Sequence, residues 1–119
     1  MDVVNLDQKL AQFRETWRPR IVGRLNGQLV KVAKLEGEFV WHQHEAEDEL
    51  FLVLHGELRM KFRDAERIVR AGELIIVPRG VEHLPVAEAE CHVLLFEPES
   101  TLNTGNVENE RTVRDLDEL

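Results

Sequence analysis

The sequence predicts an all-β protein, an antiparallel sandwich or barrel preceded by one short N-terminal helix. Three observations carry that expectation. From Gln28 onward one set of positions alternates with charged or polar neighbours, at Val30 and Val32, at Val40, His42 and His44, and at Leu58, Met60 and Phe62, the period-2 pattern of half-buried strands. Turn signals interrupt the alternation at close to even intervals, at Asn26-Gly27, Gly37, His55-Gly56, Arg63-Asp64, Ala71-Gly72, Pro78-Arg79-Gly80 and Pro98. No helical stretch separates the strands, and parallel pairing needs a long crossover, so neighbours pair antiparallel.

Each element has its own local reason. In residues 1–19, Leu6, Leu10, Phe13 and Trp17 recur at helical spacing behind an Asn5 N-cap with Gln8 three residues on, and Pro19 ends the pattern. That spacing predicts an amphipathic helix of about three turns. Residues 20–98 hold the strands. After Pro98 the composition turns polar, and residues 100–109 keep only Leu102 and Val107 as aliphatics beside the Thr104-Gly105-Asn106 turn signal. Residues 99–119 therefore read as a surface arm, with Val113, Leu116 and Leu119 spaced for a last helical turn.

Composition bounds the function. At 119 residues the chain has room for one domain. With 15 basic against 23 acidic residues its net charge is −8, which disfavours phosphate backbones and anionic lipid, so no nucleic-acid or membrane partner is expected. The longest apolar run, Leu50 to Leu54, is far too short to span a bilayer. The N-terminus lacks the basic and apolar regions of a secretory signal and Cys91 has no disulfide partner, so a cytoplasmic location is expected.

Three of the five histidines stand in a pattern with one carboxylate: His42-Gln43-His44, Glu49 five residues on, and His83. On a strand, residues i and i+2 face one way, so His42 and His44 point together, and a turn over Glu45 to Asp48 returns Glu49 beside them. Three imidazoles and a carboxylate suit a divalent transition metal with positions left for water or substrate. An isolated H-x-H on a strand is more often a solvent-facing pair, so the weight lies in the whole set.

Gly37, His42-x-His44-x4-Glu49-x6-Gly56 and then Gly72-x5-Pro78-x-Gly80-x2-His83 closely resemble the two signature motifs of the cupin superfamily. The resemblance spans residues 37 to 87. It implies a small antiparallel jelly-roll β-barrel with one metal ion, Fe, Mn, Ni or Zn, held at its mouth by His42, His44, Glu49 and His83. Gly37 lies one residue nearer the first histidine than is usual, and Ala87 stands where the family often has Asn. The sequence has no tyrosine, which removes the phenolic acid of the sugar-epimerase branch.

Period 2 sends Phe51 and Val53 inward with Glu49, and puts Val40 on the face of His42 and His44, so the pocket is expected to be apolar around one ion. Arg79, on the turn before His83, is either a surface residue or a contact for an anionic ligand. His55, Cys91 and His92 fall outside the ligand set. No second acid or base is evident near it, so any reaction would rest on the metal. Two functions remain open: a metal-dependent enzyme acting on a small oxygen-bearing molecule, or a noncatalytic cupin that binds or senses a small-molecule ligand at the same site. A homodimer is expected, because Leu6, Leu10, Phe13, Trp17 and the outward Trp41 need cover.

Overall fold

A computed structural model describes residues 1–119. It contains one helix, α1 (Leu6–Leu10), and seven strands: β1 (Arg20–Leu25), β2 (Gln28–Glu38), β3 (Glu49–His55), β4 (Glu57–Lys61), β5 (Glu66–Arg70), β6 (Leu74–Val77) and β7 (Leu84–Pro98). All strand pairs are antiparallel. The architecture is a small jelly-roll barrel built on the long β2–β7 pair, which runs from Gln28↔Pro98 to Glu38↔Val86.

Strand β7 serves both halves of the barrel. Its C-terminal part pairs with β3, from Leu50↔Phe96 to His55↔His92, and β3 carries β6 on its far side. Its N-terminal part pairs with β4 instead, from Arg59↔Val86 to Lys61↔Leu84, and β4 carries β5. The inward residues of these strands, among them Leu35, Phe51, Val53, Met60 and Val93, form one core. Two register shifts let the long strands curl: one lies between Leu35 and Gly37, and Gly37 takes φ +83° there; the other lies between Val53 and His55.

The N-terminus departs from the expected three-turn helix. Asn5 does cap α1, its Oδ1 accepting from the Gln8 N–H at 2.9 Å, but the helix stops at Leu10. Phe13 and Trp17 have separate destinations. Phe13 packs with Leu10 on Val32, outside β2, whereas Trp17 turns into the barrel and stacks on Phe39 with ring centroids 4.7 Å apart. There its Nε1 donates to the Glu36 carbonyl at 2.8 Å and its backbone N–H to Lys34 at 2.8 Å. A helix of three turns is marginal in water, and burying an indole with both donors satisfied outweighs it. The cost is visible in the backbone: Trp17 sits at φ +60°.

The C-terminal helical turn is also absent. The last residues run extended beside β1, with Ile21 N–H donating to Asp117 O at 2.9 Å and Leu119 N–H to Ile21 O at 3.0 Å, and Leu119 joins the Leu10 and Phe13 cluster. Of the apolar residues expected to meet a second subunit, Leu10, Phe13 and Trp17 are buried within the chain itself, while Leu6 and Trp41 are half-buried. Trp41 is half-buried beneath the Arg63 guanidinium, 3.9 Å from its ring centre. The apolar side chains most open to solvent within strands are Leu74 and Ile76 on edge strand β6. No helix is long and apolar enough to cross a membrane.

Gly56 closes the β3–β4 turn at φ +83°, where a Cβ would meet the Glu90 carbonyl oxygen at 2.9 Å and Cys91 Cα at 3.2 Å. These are backbone atoms of β7, which cannot move aside as a flexible side chain could. We expect Gly56→Ala to cost about 2 kcal/mol or more in chemical denaturation, from the conformational and the steric terms together.

Candidate metal centre

The two motif segments meet through backbone hydrogen bonds. His42 N–H donates to His83 O at 3.1 Å and His83 N–H to His42 O at 2.9 Å, an isolated antiparallel bridge. One turn away, Gly80 N–H donates to His44 O at 2.7 Å, with Gly80 at φ +78°. The histidines were expected on a regular strand; they lie instead on an extended segment held by this clamp. Glu49, the first residue of β3, pairs with Val77 and points inward.

His42, His44, Glu49 and His83 are all buried, and one ligand-type atom from each lies within 4.8 Å of the others. His42 Nδ1 is 2.9 Å from Val40 O and His83 Nδ1 is 3.0 Å from Val81 O. A carbonyl can only accept, so each Nδ1 carries the proton and each Nε2 keeps its lone pair for the cluster. His44 Nε2 and His83 Nε2 approach Glu49 Oε1 at 3.2 and 3.4 Å, yet both nitrogens and that oxygen lack a properly formed hydrogen bond. Buried ligand atoms with unsatisfied lone pairs converging on one point are what a bound cation resolves, because ligands about 2.1 Å from an ion stand roughly 3 to 4 Å from each other. The donor set fits a divalent transition metal.

Burial pushes the His42 pKa down to about 4, with repulsion from His83 adding to it. Glu49 behaves oppositely to an isolated buried acid. Burial alone would raise it, but the closeness of Glu97, His44 and His83 outweighs that and holds it well below the usual carboxylate range. Glu97 takes the complementary state: burial and the neighbouring Glu49 charge raise it well above its ordinary value, against the pull of Lys31, whose Nζ is 2.7 Å from Glu97 Oε1. The two neighbouring carboxyls are thus shifted in opposite directions, Glu49 down and Glu97 up.

Glu97 corrects the expectation that no second acid lies near the ligands. It lines the same cavity as His42 and Glu49, with Trp17, Phe39, Phe51 and Leu95. Its signal was present as a carboxylate in the inward phase of β7, Val93, Leu95 then Glu97, diagonal to Lys31 in the inward phase of β2. Of the expected pocket residues, Phe51 is on the wall. Val53 is fully buried in the core beyond it. Val40 supports His42 through its carbonyl while Phe39 takes the wall position. Arg79 is exposed and its Nε is 3.4 Å from Asp48, away from the cavity.

The C-terminal arm is part of the site, contrary to its reading as a surface segment. Asn106 and Gln43 exchange hydrogen bonds, Asn106 N–H to Gln43 O at 3.0 Å and Gln43 N–H to Asn106 Oδ1 at 2.9 Å. Gly105 fits against the ligand segment so closely that a Cβ would lie 2.2 Å from Gln43 O and 3.1 Å from His42 Cδ2. Asn103 closes the cavity wall. The space left is small, about 40 Å³, room for a few water molecules. Outside the site, burial pushes the Cys91 thiol up to about 11, which leaves it inert, and His92 Nε2 is 2.7 Å from Glu90 at the surface.

The cupin domain model, Cupin_2, matches residues 28–97, which takes in β2 to β7 and all four cluster residues. The chain belongs to the cupin family. A cupin-2 domain protein of Shewanella frigidimarina is 42% identical, with 82% of this chain and 95% of that one covered and a TM-score of 0.81. Protein NMB1881 of Neisseria meningitidis is 33% identical, with coverage of 82% and 100% and a TM-score of 0.76. The uncharacterized protein YdbB of Bacillus subtilis is 38% identical over 63 residues, 52% of this cupin and 56% of that relative, so the match spans little more than half of either.

In this cupin the His42 shift sets a direction for acid sensitivity. The unfolded chain takes up the proton near pH 6.5 and the folded one only near 4, so the unfolded state binds more protons between those values. The chelator-treated protein should lose on the order of 3 kcal/mol of stability as pH falls through that window, measured by urea denaturation. His42→Gln should flatten the dependence there.

Proposed function

We propose that this cupin holds one divalent transition metal ion, Fe, Mn, Ni or Zn, on His42, His44, Glu49 and His83, and that it is an enzyme acting on a small oxygen-bearing organic molecule. The observation that carries the reading is the set of buried, unsatisfied ligand atoms beside an apolar cavity that His42 and Glu49 themselves line. When bound, the ion supplies Lewis acidity toward a substrate oxygen, or one-electron chemistry if it is redox-active. Four protein ligands close a tetrahedral ion but leave room on one that takes more, which favours Fe, Mn or Ni over Zn for turnover.

The chain's own residues do the rest. Val40 and Val81 orient the rings of His42 and His83 through their carbonyls. Trp17, Phe39, Phe51 and Leu95 exclude water and lower the local dielectric. Glu97, on the cavity wall beside Glu49, is shifted upward by burial and by the Glu49 charge, which makes it the candidate acid. The small free volume, walled by a pinned arm, favours the alternative of a noncatalytic cupin that captures a metabolite unchanged.

Elemental analysis of the purified protein should find about one ion per chain, and His42→Ala or His83→Ala should lower occupancy about tenfold or more. Protein that stays metal-free after incubation with Fe, Mn, Ni and Zn would overturn the site. For the reaction, metal-loaded protein is screened by thermal shift against sugars, keto acids, dicarboxylates and phenolics, with mass spectrometry on each hit, in air and without it. Conversion of a hit that disappears in Glu49→Gln supports the enzyme; stabilisation with every ligand recovered unchanged supports the binder.

A further inference from the structure

Strands β2, β7, β3 and β6 form a sheet that is apolar on both faces. Its inner face is the barrel core, and period 2 sends the residues between the core positions outward. The register aligns those outward residues in two rows across the four strands. Ile76, Leu50, Phe96 and Val30 stand side by side in the first, from β6 through β3 and β7 to β2. Leu74, Leu52, Leu94 and Val32 form the second. Neither row holds a charge, in a chain 32% charged. The strands accordingly read as continuous apolar runs, Leu50 to Leu54, Leu74 to Val77 and Val93 to Phe96, the pattern of a sheet covered on both sides.

The chain covers only one end of this outer face. Leu10 and Phe13 lie on Val32, with Leu6, Leu54 and Leu119 packed around them. At the other end Leu74 and Ile76 are each 55% exposed, on a strand that pairs on one side only. The other two edge strands show how this chain protects an edge. Ile21 of β1 is bridged to Glu118 of the C-terminal segment, and β5 carries Glu66, Arg67 and Arg70. Strand β6, Leu-Ile-Ile-Val, has neither a cover nor a charge.

Such a face is matched by a second surface that is flat, apolar and uncharged, and a second copy of the chain brings one. A net charge of −8 makes copies repel, so a contact between them forms where charge is absent, which is this face. Turned about a two-fold axis, each copy lays its rows on the other's, in aligned sheet-on-sheet packing with layers about 10 Å apart. Area sets how far the contact extends. Eight positions, at about 4.8 Å between strands and about 6.8 Å along them, cover roughly 260 Å², against about 800 Å² per partner in a stable complex. The contact must reach the margins, and these are apolar too. Leu25, two residues beyond the Gly23 that continues the first row, is 45% exposed, and Val3 and Val4 ahead of α1 are 97% and 40% exposed.

We propose that a second copy of this chain packs on the outer face of β2, β7, β3 and β6, as a two-fold pair centred on Leu50, Leu52, Leu74 and Ile76. The sequence pointed a second subunit to the helix and Trp41; the sheet face replaces them. It backs the strands that carry the site, since Leu50 follows Glu49 in β3 and Phe96 precedes Glu97 in β7, on opposite sides of the sheet. The contact involves no metal ligand, so it is the same in loaded and chelator-treated protein.

Sedimentation equilibrium of the full chain at micromolar concentration should give twice the 13.8 kDa chain mass, with or without metal. Leu74→Lys combined with Ile76→Lys should return the mass to one chain. Circular dichroism and metal content should stay as in the wild type, because both side chains already stand half in water. Ile68→Lys, at an exposed apolar position on edge strand β5, should leave the pair intact. A wild-type monomer would give the face to a partner of another kind and overturn the pair. A mass above two chains, a pair that survives both lysines, or one that Ile68→Lys dissolves would overturn it as well. Should the lysine variant fold poorly, Leu74→Ser with Ile76→Ser takes its place and should weaken the pair about a hundredfold or more, since each change is felt on both copies. An unchanged dissociation constant there would overturn it equally.

Discussion

The pair of backbone hydrogen bonds between His42 and His83 is the constraint on which the site depends. These residues are far apart in the chain, and each lies outside a regular strand. Without the reciprocal bonds at 3.1 and 2.9 Å, and the third from Gly80 to His44, the ligand segment would be a free loop between β2 and β3. With them, its direction is set by the Pro78-to-Gly80 turn. The carbonyls of Val40 and Val81 then fix the two rings, so that ring orientation follows from main-chain geometry. Such rigid placement of donors is what metal selectivity and substrate alignment require.

A second layer lies beneath the ligands. Beside the three ligand histidines, Lys31, Glu97 and Glu49 put three more ionisable groups inside a barrel lined mainly by aliphatic and aromatic side chains. Such burial is expensive, and an apolar trio of the same volume would pack at least as stably. Here the arrangement shifts two adjacent carboxyls in opposite directions, Glu49 down and Glu97 up, with Lys31 on Oε1 of Glu97. Glu49 is thereby shifted toward the anion in a setting where burial alone would favour the neutral acid, and the anion is the form that ligates a cation.

The C-terminal arm completes the wall. Gly105 permits a contact with Gln43 that no side chain would allow, and Asn103 spends both ends of its amide on the arm itself, bonding Arg111 O and Val113 N–H. The polar composition that marks the segment as surface is thus consumed internally: these side chains satisfy the backbone of an irregular segment packed over a barrel mouth.

Much of this protein was determined locally, and was therefore legible in the sequence. Strand alternation, the glycines that reverse the chain and the His42, His44, Glu49 and His83 set depend on residue type and short spacing, and the turn residues that bring the set together carry their own φ preferences. The span of the N-terminal helix was not legible, because Trp17 had a better destination inside the barrel than on a helix in water, and that destination exists only once β2 and Phe39 are in place. Glu97 and Lys31 were hidden for a related reason: a single charge in a strand is a surface residue or a buried partner depending on what faces it, and the facing residue belongs to another strand. The arm's role was decided by tertiary structure alone, since nothing in a polar segment's own spacing says which surface it will cover.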